Sequence, residues 1–501
     1  MVTDTKLKRK NGGSSLSNTM SSIKKNFFYS SILTVSNYIF PLLVFPYVSR
    51  VLGVTNIGIC GFVDGIINYF ILISMMGVSV VGIREVARVK DNDAKITKAF
   101  SSLFSLNTIT TFVALVILII CIYTVPQLYE NKKLMYVGLI KLVSNFLLIE
   151  WLYTGLEKFK FITNRTIIVK ILYVILIFLL IKKQEDYYLY YILTTLMITI
   201  NALMNCWFAR KFFKFKNYSL DFKNFRKPVM VLGIYAILTS MYISFNVIFL
   251  GFSADNTEVG YYTTASKLYT ILLALYSAFT NVMLPRMSFL LADGRMDEFK
   301  SMIVKSQDIL LGFAIPLCLL SIIFAPEIIH IIAGEGYEGA IIPMRIIMPL
   351  MLIIGYEQIL VLQILTPLQK DRAIFINSIF GACTGIALNL ILVPYFKSVG
   401  SSIVWFTSEC VVLVSSQYFV NKFIRVNFPY KKIFINLLWA IPAVFLCLLL
   451  KSNLHVSPFV DLSIAGFCVG VYFLIIQFYI LKNEFFISSL YKILNLINSK
   501  R

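Results

Sequence analysis

Residues 99–123 read AFSSLFSLNTITTFVALVILIICIY, without one charged side chain. A helix rises about 1.5 Å per residue, so a run of this length crosses the roughly 30 Å of hydrocarbon in a bilayer. A water-soluble helix of the same length needs a polar face, and none is marked out here. The stretch is a membrane span.

Working outward in both directions, runs of the same kind recur until they account for most of the chain. They cover residues 28–49, 58–82, 99–123, 134–155, 166–181, 188–208, 229–250, 259–284, 309–333, 341–366, 374–396, 403–423, 433–450 and 459–481. The expectation is an all-α polytopic membrane protein of about fourteen transmembrane helices, of which 166–181 is the shortest. Composition agrees, because 58% of the 501 residues are hydrophobic and only 14% are charged. That is too little charge to clothe a soluble globule of this size. The eight cysteines and two histidines show no paired metal-ligand spacing, so neither a metal site nor a disulfide framework is expected.

The 46 lysines and arginines test this reading, since cytoplasmic loops carry the positive excess. With the N-terminus inside, 35 fall in inside segments, seven fall in outside segments and four lie within spans. The alternation places both termini in the cytoplasm. It also removes a competing reading of the net charge of +21, because the cations sit in short loops beside an anionic leaflet and not on a nucleic-acid surface.

The longest and most basic connection, 210–228, falls after six spans and divides the chain. Expected in order are a disordered basic tail (1–26), a six-helix bundle (27–209), the linker, a second six-helix bundle (229–424), two accessory helices (430–482) and a C-terminal tail (483–501). Leu52-Gly53 followed by Gly61-Phe62 is echoed by Leu250-Gly251 followed by Gly260-Tyr261. An even number of spans per half makes such halves parallel repeats, an arrangement known in transporters.

The run from Asn37 through Pro41, Pro46 and Arg50 to Gly53, NYIFPLLVFPYVSRVLG, resembles the opening span of polysaccharide-lipid flippases of the Wzx type. Gly82-Ile83-Arg84-Glu85, Glu150-Trp151-Leu152-Tyr153-Thr154-Gly155 and Gly260-Tyr261-Tyr262 extend the resemblance over residues 27–480. Such proteins belong to the multidrug/oligosaccharidyl-lipid/polysaccharide exporter superfamily. The resemblance implies two bundles facing a central cavity and no enzyme activity. It also implies movement of an undecaprenyl-diphosphate-linked O-antigen or other surface glycan across a bacterial inner membrane. Implied partners are that lipid-linked glycan, anionic membrane lipids, and a polysaccharide polymerase with its chain-length machinery. No cofactor is expected beyond a coupling Na+ or H+.

Ionisable residues inside spans are costly to insert and tend to face a protein interior or water. The candidate cations are Lys141, Lys170, Lys267 and Arg345 within spans, with Arg50 and Arg286 at span ends. Lining a cavity, they offset the desolvation of a lipid diphosphate. By depth, Lys170 and Arg286 meet the headgroup inside, Lys141 and Lys267 hold it midway, and Arg345 with Arg50 lie near the exit. The residues leave a second reading open for each: snorkelling for Lys170, Arg50 and Arg286, and local pairing with a buried acid for the other three. The acids are Asp64, Glu150, Glu357 and Glu409. Asp64 is the candidate for ion coupling, and Glu150 with Trp151 and Tyr153 reads as an interface anchor. A cation-coupled multidrug exporter remains the alternative function. A membrane-embedded glycan polymerase is disfavoured because no loop is large enough for clustered catalytic groups.

Overall fold

A computed structural model describes residues 10–210, 222–453, 457–483 and 487. The 1–9 part of the tail, most of the 210–228 linker and nearly all of the 483–501 tail lie outside the described residues. Every regular element among the described residues is helical. Ten of these helices are long and apolar enough to cross a membrane, or twelve when each of two bent pairs is taken as one span. The chain is an all-helical, multi-pass membrane protein.

The two longest helices explain how the expected runs map onto this count. Phe28–Met75 has 48 residues and Asp371–Ile424 has 54. Each is more than twice the length that hydrocarbon requires. Each also breaks once. Gly53 adopts φ 76° and ψ 164° in the first, a backbone that glycine alone enters without strain. In the second, Lys397 adopts φ 48° and ψ −123°, and the helix restarts at Ser398, whose N–H donates to Glu258 at 3.2 Å. The expected spans 28–49 and 58–82, and likewise 374–396 and 403–423, fall on either side of these breaks. At the N-terminus the first helix begins at Lys10, inside the segment expected to be a tail.

The chain forms two compact units, Met1–Val44 with Ile66–Ile237 and Phe45–Gly65 with Leu238–Arg501. In the first unit, Asn92 caps the helix Asp93–Thr124 by accepting from the Lys95 N–H, and Pro126 opens the short helix that follows. Phe100 of the long helix stacks on Trp151 at 5.6 Å, and Trp151 closes on Gly82, where no side chain fits. Trp151 and Tyr153 are 3% and 0% exposed, so they form core here and not the interface belt expected of them. The opposite face of Asp93–Thr124 exposes Phe112, Val116 and Ile120, as a surface meeting lipid does.

In the second unit, residues 45–65 lie against the helix Asn256–Ala292. A Cβ at Gly58 would overlap the Asn256 carbonyl oxygen, and one at Gly260 would overlap that of Val54. Gly61 meets Thr263, and Gly65 meets Val247 and Ile248. These glycines pack residues 45–65, which precede the linker in sequence, within the second unit. Small residues permit such approach where lipid offers no hydrophobic drive for association.

Candidate functional site

The helix Phe159–Leu180 carries two buried cations, Arg165 at 2% and Lys170 at 9% exposure. Lys170 donates to the Asn37 side-chain oxygen at 2.6 Å, and its ammonium lies 5.6 Å from the Phe40 ring centroid. Arg165 donates to Glu150 at 2.6 Å and to the Asn205 side-chain oxygen. Asn205 in turn donates to the Leu148 carbonyl, while the Tyr153 hydroxyl donates to the Asn205 carbonyl at 2.5 Å. Two cations therefore share one nearby carboxylate, and that carboxylate, Glu150, is partly exposed with a side-chain accessibility of 43%. The cluster holds a surplus positive charge and an accessible edge.

By sequence Arg165 stands with Lys158 and Lys160 in what reads as an inside loop, which hides its burial. One signal did exist: Thr163 and Thr166 flank it, and both are buried with it. Lys141, on the helix Lys132–Leu147 of the same unit, is also buried at 8% exposure.

The second unit joins two further candidates. Lys267 lies on the helix Asn256–Ala292, with its ammonium 4.6 Å from the Phe45 ring centroid and within electrostatic reach of Asp64. Its side chain is exposed, and a charge carried on a spanning helix tends to face a polar environment, since hydrocarbon does not tolerate it.

Of the other three cations, two reach helix ends and the third reaches across a turn. Arg50 is exposed and donates to the Ile331 carbonyl in the last turn of the helix Ala325–Ile332. Arg345, also exposed, donates from Nε to the Ile322 carbonyl at 3.1 Å, at the end of the helix Met296–Ile323. Both side chains meet the orphan carbonyls and the negative end of a helix dipole. Arg286 is half exposed and lies 3.9 Å from Glu298 across a tight turn.

Sequence reasoning named Glu357 and Glu409 only as separate acids. Their carboxyls lie close enough to act on each other electrostatically, and Glu409 accepts from Trp405 Nε1 at 3.0 Å. A π-helical turn, Ile359–Leu365, begins two residues after Glu357, and such turns often accompany functional positions. Among the described residues, no three His, Cys, Asp or Glu side chains cluster in a way that could hold a metal ion.

Comparison with known proteins places this geometry in context. The family described as polysaccharide biosynthesis protein matches residues 23–291, more than half of the chain. A putative O-antigen transporter of Escherichia coli (strain K12) is 25% identical over 415 residues, which are 80% of this chain and 97% of that protein. A putative O-antigen transporter of Shigella dysenteriae is 26% identical over 407 residues, covering 78% and 98%. Among solved structures, the lipid II flippase MurJ in an inward closed conformation aligns with a TM-score of 0.75 at 15% identity. That alignment covers 91% of this chain and 99% of MurJ, and it supports the fold alone.

Proposed function

The chain belongs to the polysaccharide biosynthesis protein family, and from that premise we propose that it is a flippase carrying a lipid-linked glycan across a membrane. The cargo proposed is an undecaprenyl-diphosphate-linked oligosaccharide, a surface-polysaccharide repeat unit moved from the inner to the outer leaflet of a bacterial inner membrane. One observation carries the reading furthest: Arg165 and Lys170, buried on one helix, share Glu150 as their nearby countercharge among the described residues. A diphosphate needs surplus positive charge at membrane depth to offset its desolvation. Lys267 and Lys141 supply the same chemistry further along the path, in a cycle of alternating access. Arg50, Arg345 and Arg286 have donors or charge directed at helix ends and a turn, and they take a positioning role. The transporter relatives argue for transport without catalysis.

The charge alternation supports cytoplasmic termini and an inside-facing set of basic loops. Two acidic sites compete for ion coupling. Asp64 beside Lys267 is one, and the neighbouring carboxyls Glu357 and Glu409 are the other.

The test is binding of an undecaprenyl-diphosphate glycan to the full chain in lipid nanodiscs, compared with Lys170→Ala, Lys267→Ala and Lys141→Ala. Loss of about 1–3 kcal/mol per charged hydrogen bond in the variants supports the reading. Equal binding by all four proteins removes these residues from the site. Binding of organic cations in place of the glycan moves the protein to the multidrug-exporter reading.

A further inference from the structure

Inside the second unit, Trp405 of the helix Asp371–Ile424 donates from Nε1 to Glu409 at 3.0 Å. Glu409 is 2% exposed, and Glu357 of the helix Leu350–Gln358 lies within electrostatic reach of it. The Tyr269 ring meets Trp405 edge-on at 5.2 Å and the Tyr262 ring lies 6.4 Å from it, both tyrosines at 1% exposure. The helices packed around the two carboxyls all fall in the described stretch 222–453. Among the described residues no lysine, arginine or histidine pairs with either one. Two ionised carboxylates side by side, shielded from water, repel each other and carry an unrelieved desolvation cost, so the pair needs a positive ligand.

The polar groups around the pair suit a proton better than a metal ion. A hard cation takes about six or more oxygen ligands. Here the Trp405 N–H faces Glu409 as a donor, the Tyr269 hydroxyl donates to the Leu350 carbonyl at 3.4 Å, and the Tyr262 hydroxyl accepts from Asn246 at 3.4 Å. A protonated carboxyl is itself a donor and needs one acceptor. Ser408 offers one. It adjoins Glu409 on the helix face that Trp405 sets, is 0% exposed, and its Oγ has no partner among the described residues. Gln358, next after Glu357, donates to Ser277 at 2.9 Å and keeps a buried Oε1 that accepts from no donor among the described residues.

We propose that Glu357 and Glu409 form a proton-binding site that does not take sodium or another metal ion. This deepens the ion-coupling reading of the pair given above and rests on it only for a part in transport. The step is proton transfer alone: an O–H bond forms on one carboxyl as a proton arrives from water and breaks as it leaves, with the electron pair staying on oxygen. The other titratable groups facing the pair are Tyr262 and Tyr269, with Cys318 beside Tyr269 and Cys410 next to Glu409. Tyr356 turns to Gln417 at 2.8 Å and Arg345 to the Ile322 carbonyl, so neither serves the two carboxyls.

Infrared spectroscopy of the full chain in nanodiscs of zwitterionic lipid, with no glycan present, tests this directly. At neutral pH the native protein shows the C=O stretch of a protonated carboxyl, and the band shifts in D2O. Replacing N-methylglucamine with excess Na+ at constant pH leaves the band unchanged, and the double variant Glu357→Gln with Glu409→Gln removes it. Where the double variant does not fold, each single glutamine variant alters the band in its place. Absence of the band from the native protein overturns the proposal. So do a band that persists unaltered in the variants, as expected of a carboxyl elsewhere, and its loss on adding Na+, as expected of a metal-ion site. Because glycan takes no part, these outcomes leave the flippase reading to its own test.

Discussion

Lys170 donates a 2.6 Å hydrogen bond to Asn37, so a buried cation of the helix Phe159–Leu180 is held by the first residue of the proline-containing run 37–53. This bond orients the ammonium without neutralising it. Lys170→Ala is expected to weaken glycan binding with little change in thermal unfolding. Asn37→Leu strands a buried ammonium and lowers the unfolding temperature as well, at a cost of about 1–3 kcal/mol. Paired binding and unfolding measurements on the two variants check this; equal unfolding temperatures refute the second half.

Arg165 differs because its guanidinium reaches Glu150 and the Asn205 side chain, with the Thr166 hydroxyl at 3.0 Å and the Asn201 carbonyl at 3.4 Å beside them. Removing it leaves the buried Asn205 side chain and Asn201 carbonyl without their charged donor, at about 1–3 kcal/mol each, while Glu150 is partly exposed and loses only its ion pair. Arg165→Ala is therefore expected to unfold far more readily than Lys170→Ala. Arg165→Lys should recover little, because an ammonium lacks the planar fork that reaches both acceptors. Thermal unfolding in detergent separates the three proteins, and full recovery by lysine contradicts the prediction.

Conservative amides test the proposed ion coupling at either carboxylate site. Glu409→Gln keeps an acceptor for Trp405 Nε1 beside Glu357 but removes a titratable carboxyl. If the pair is the coupling site, proton movement accompanying glycan transfer in proteoliposomes disappears in Glu409→Gln and persists in Asp64→Asn. The reverse pattern assigns coupling to Asp64 beside Lys267.

Gly58 tests the packing of residues 45–65. Its missing side chain leaves room for the Asn256 carbonyl oxygen, a backbone atom that cannot swing aside. Gly58→Ala is expected to destabilise the second unit by about 1–3 kcal/mol, as overpacking does. Gly466→Ala, where nothing lies within 4 Å, serves as the neutral control in the same unfolding experiment.

The fold class was legible because lipid imposes a coarse rule: apolar runs such as 99–123 must be helices of fixed length. The break at Gly53 was also visible, since Leu52-Gly53 interrupts hydrophobic sequence. The burial of Lys141 followed from its place inside a run. Arg165 was hidden by position, standing close to Lys158 and Lys160 at what reads as a loop. The partners of Arg50 and Arg345 were hidden by distance along the chain, for the Ile331 carbonyl that Arg50 meets is 281 residues away. The same applies to the Glu357 and Glu409 pair. Hydropathy reports how deep a residue sits, whereas pairing depends on which helices become neighbours.

The central claim is that Lys170 and Lys267 carry a lipid diphosphate through the protein, and transfer itself tests it best. A lectin-accessible undecaprenyl-diphosphate glycan is loaded in one leaflet of proteoliposomes, and its appearance in the other is followed over time. The account predicts transfer by the native chain and strong slowing by Lys170→Ala and Lys267→Ala, with both variants folded. Undiminished transfer by the two variants contradicts it.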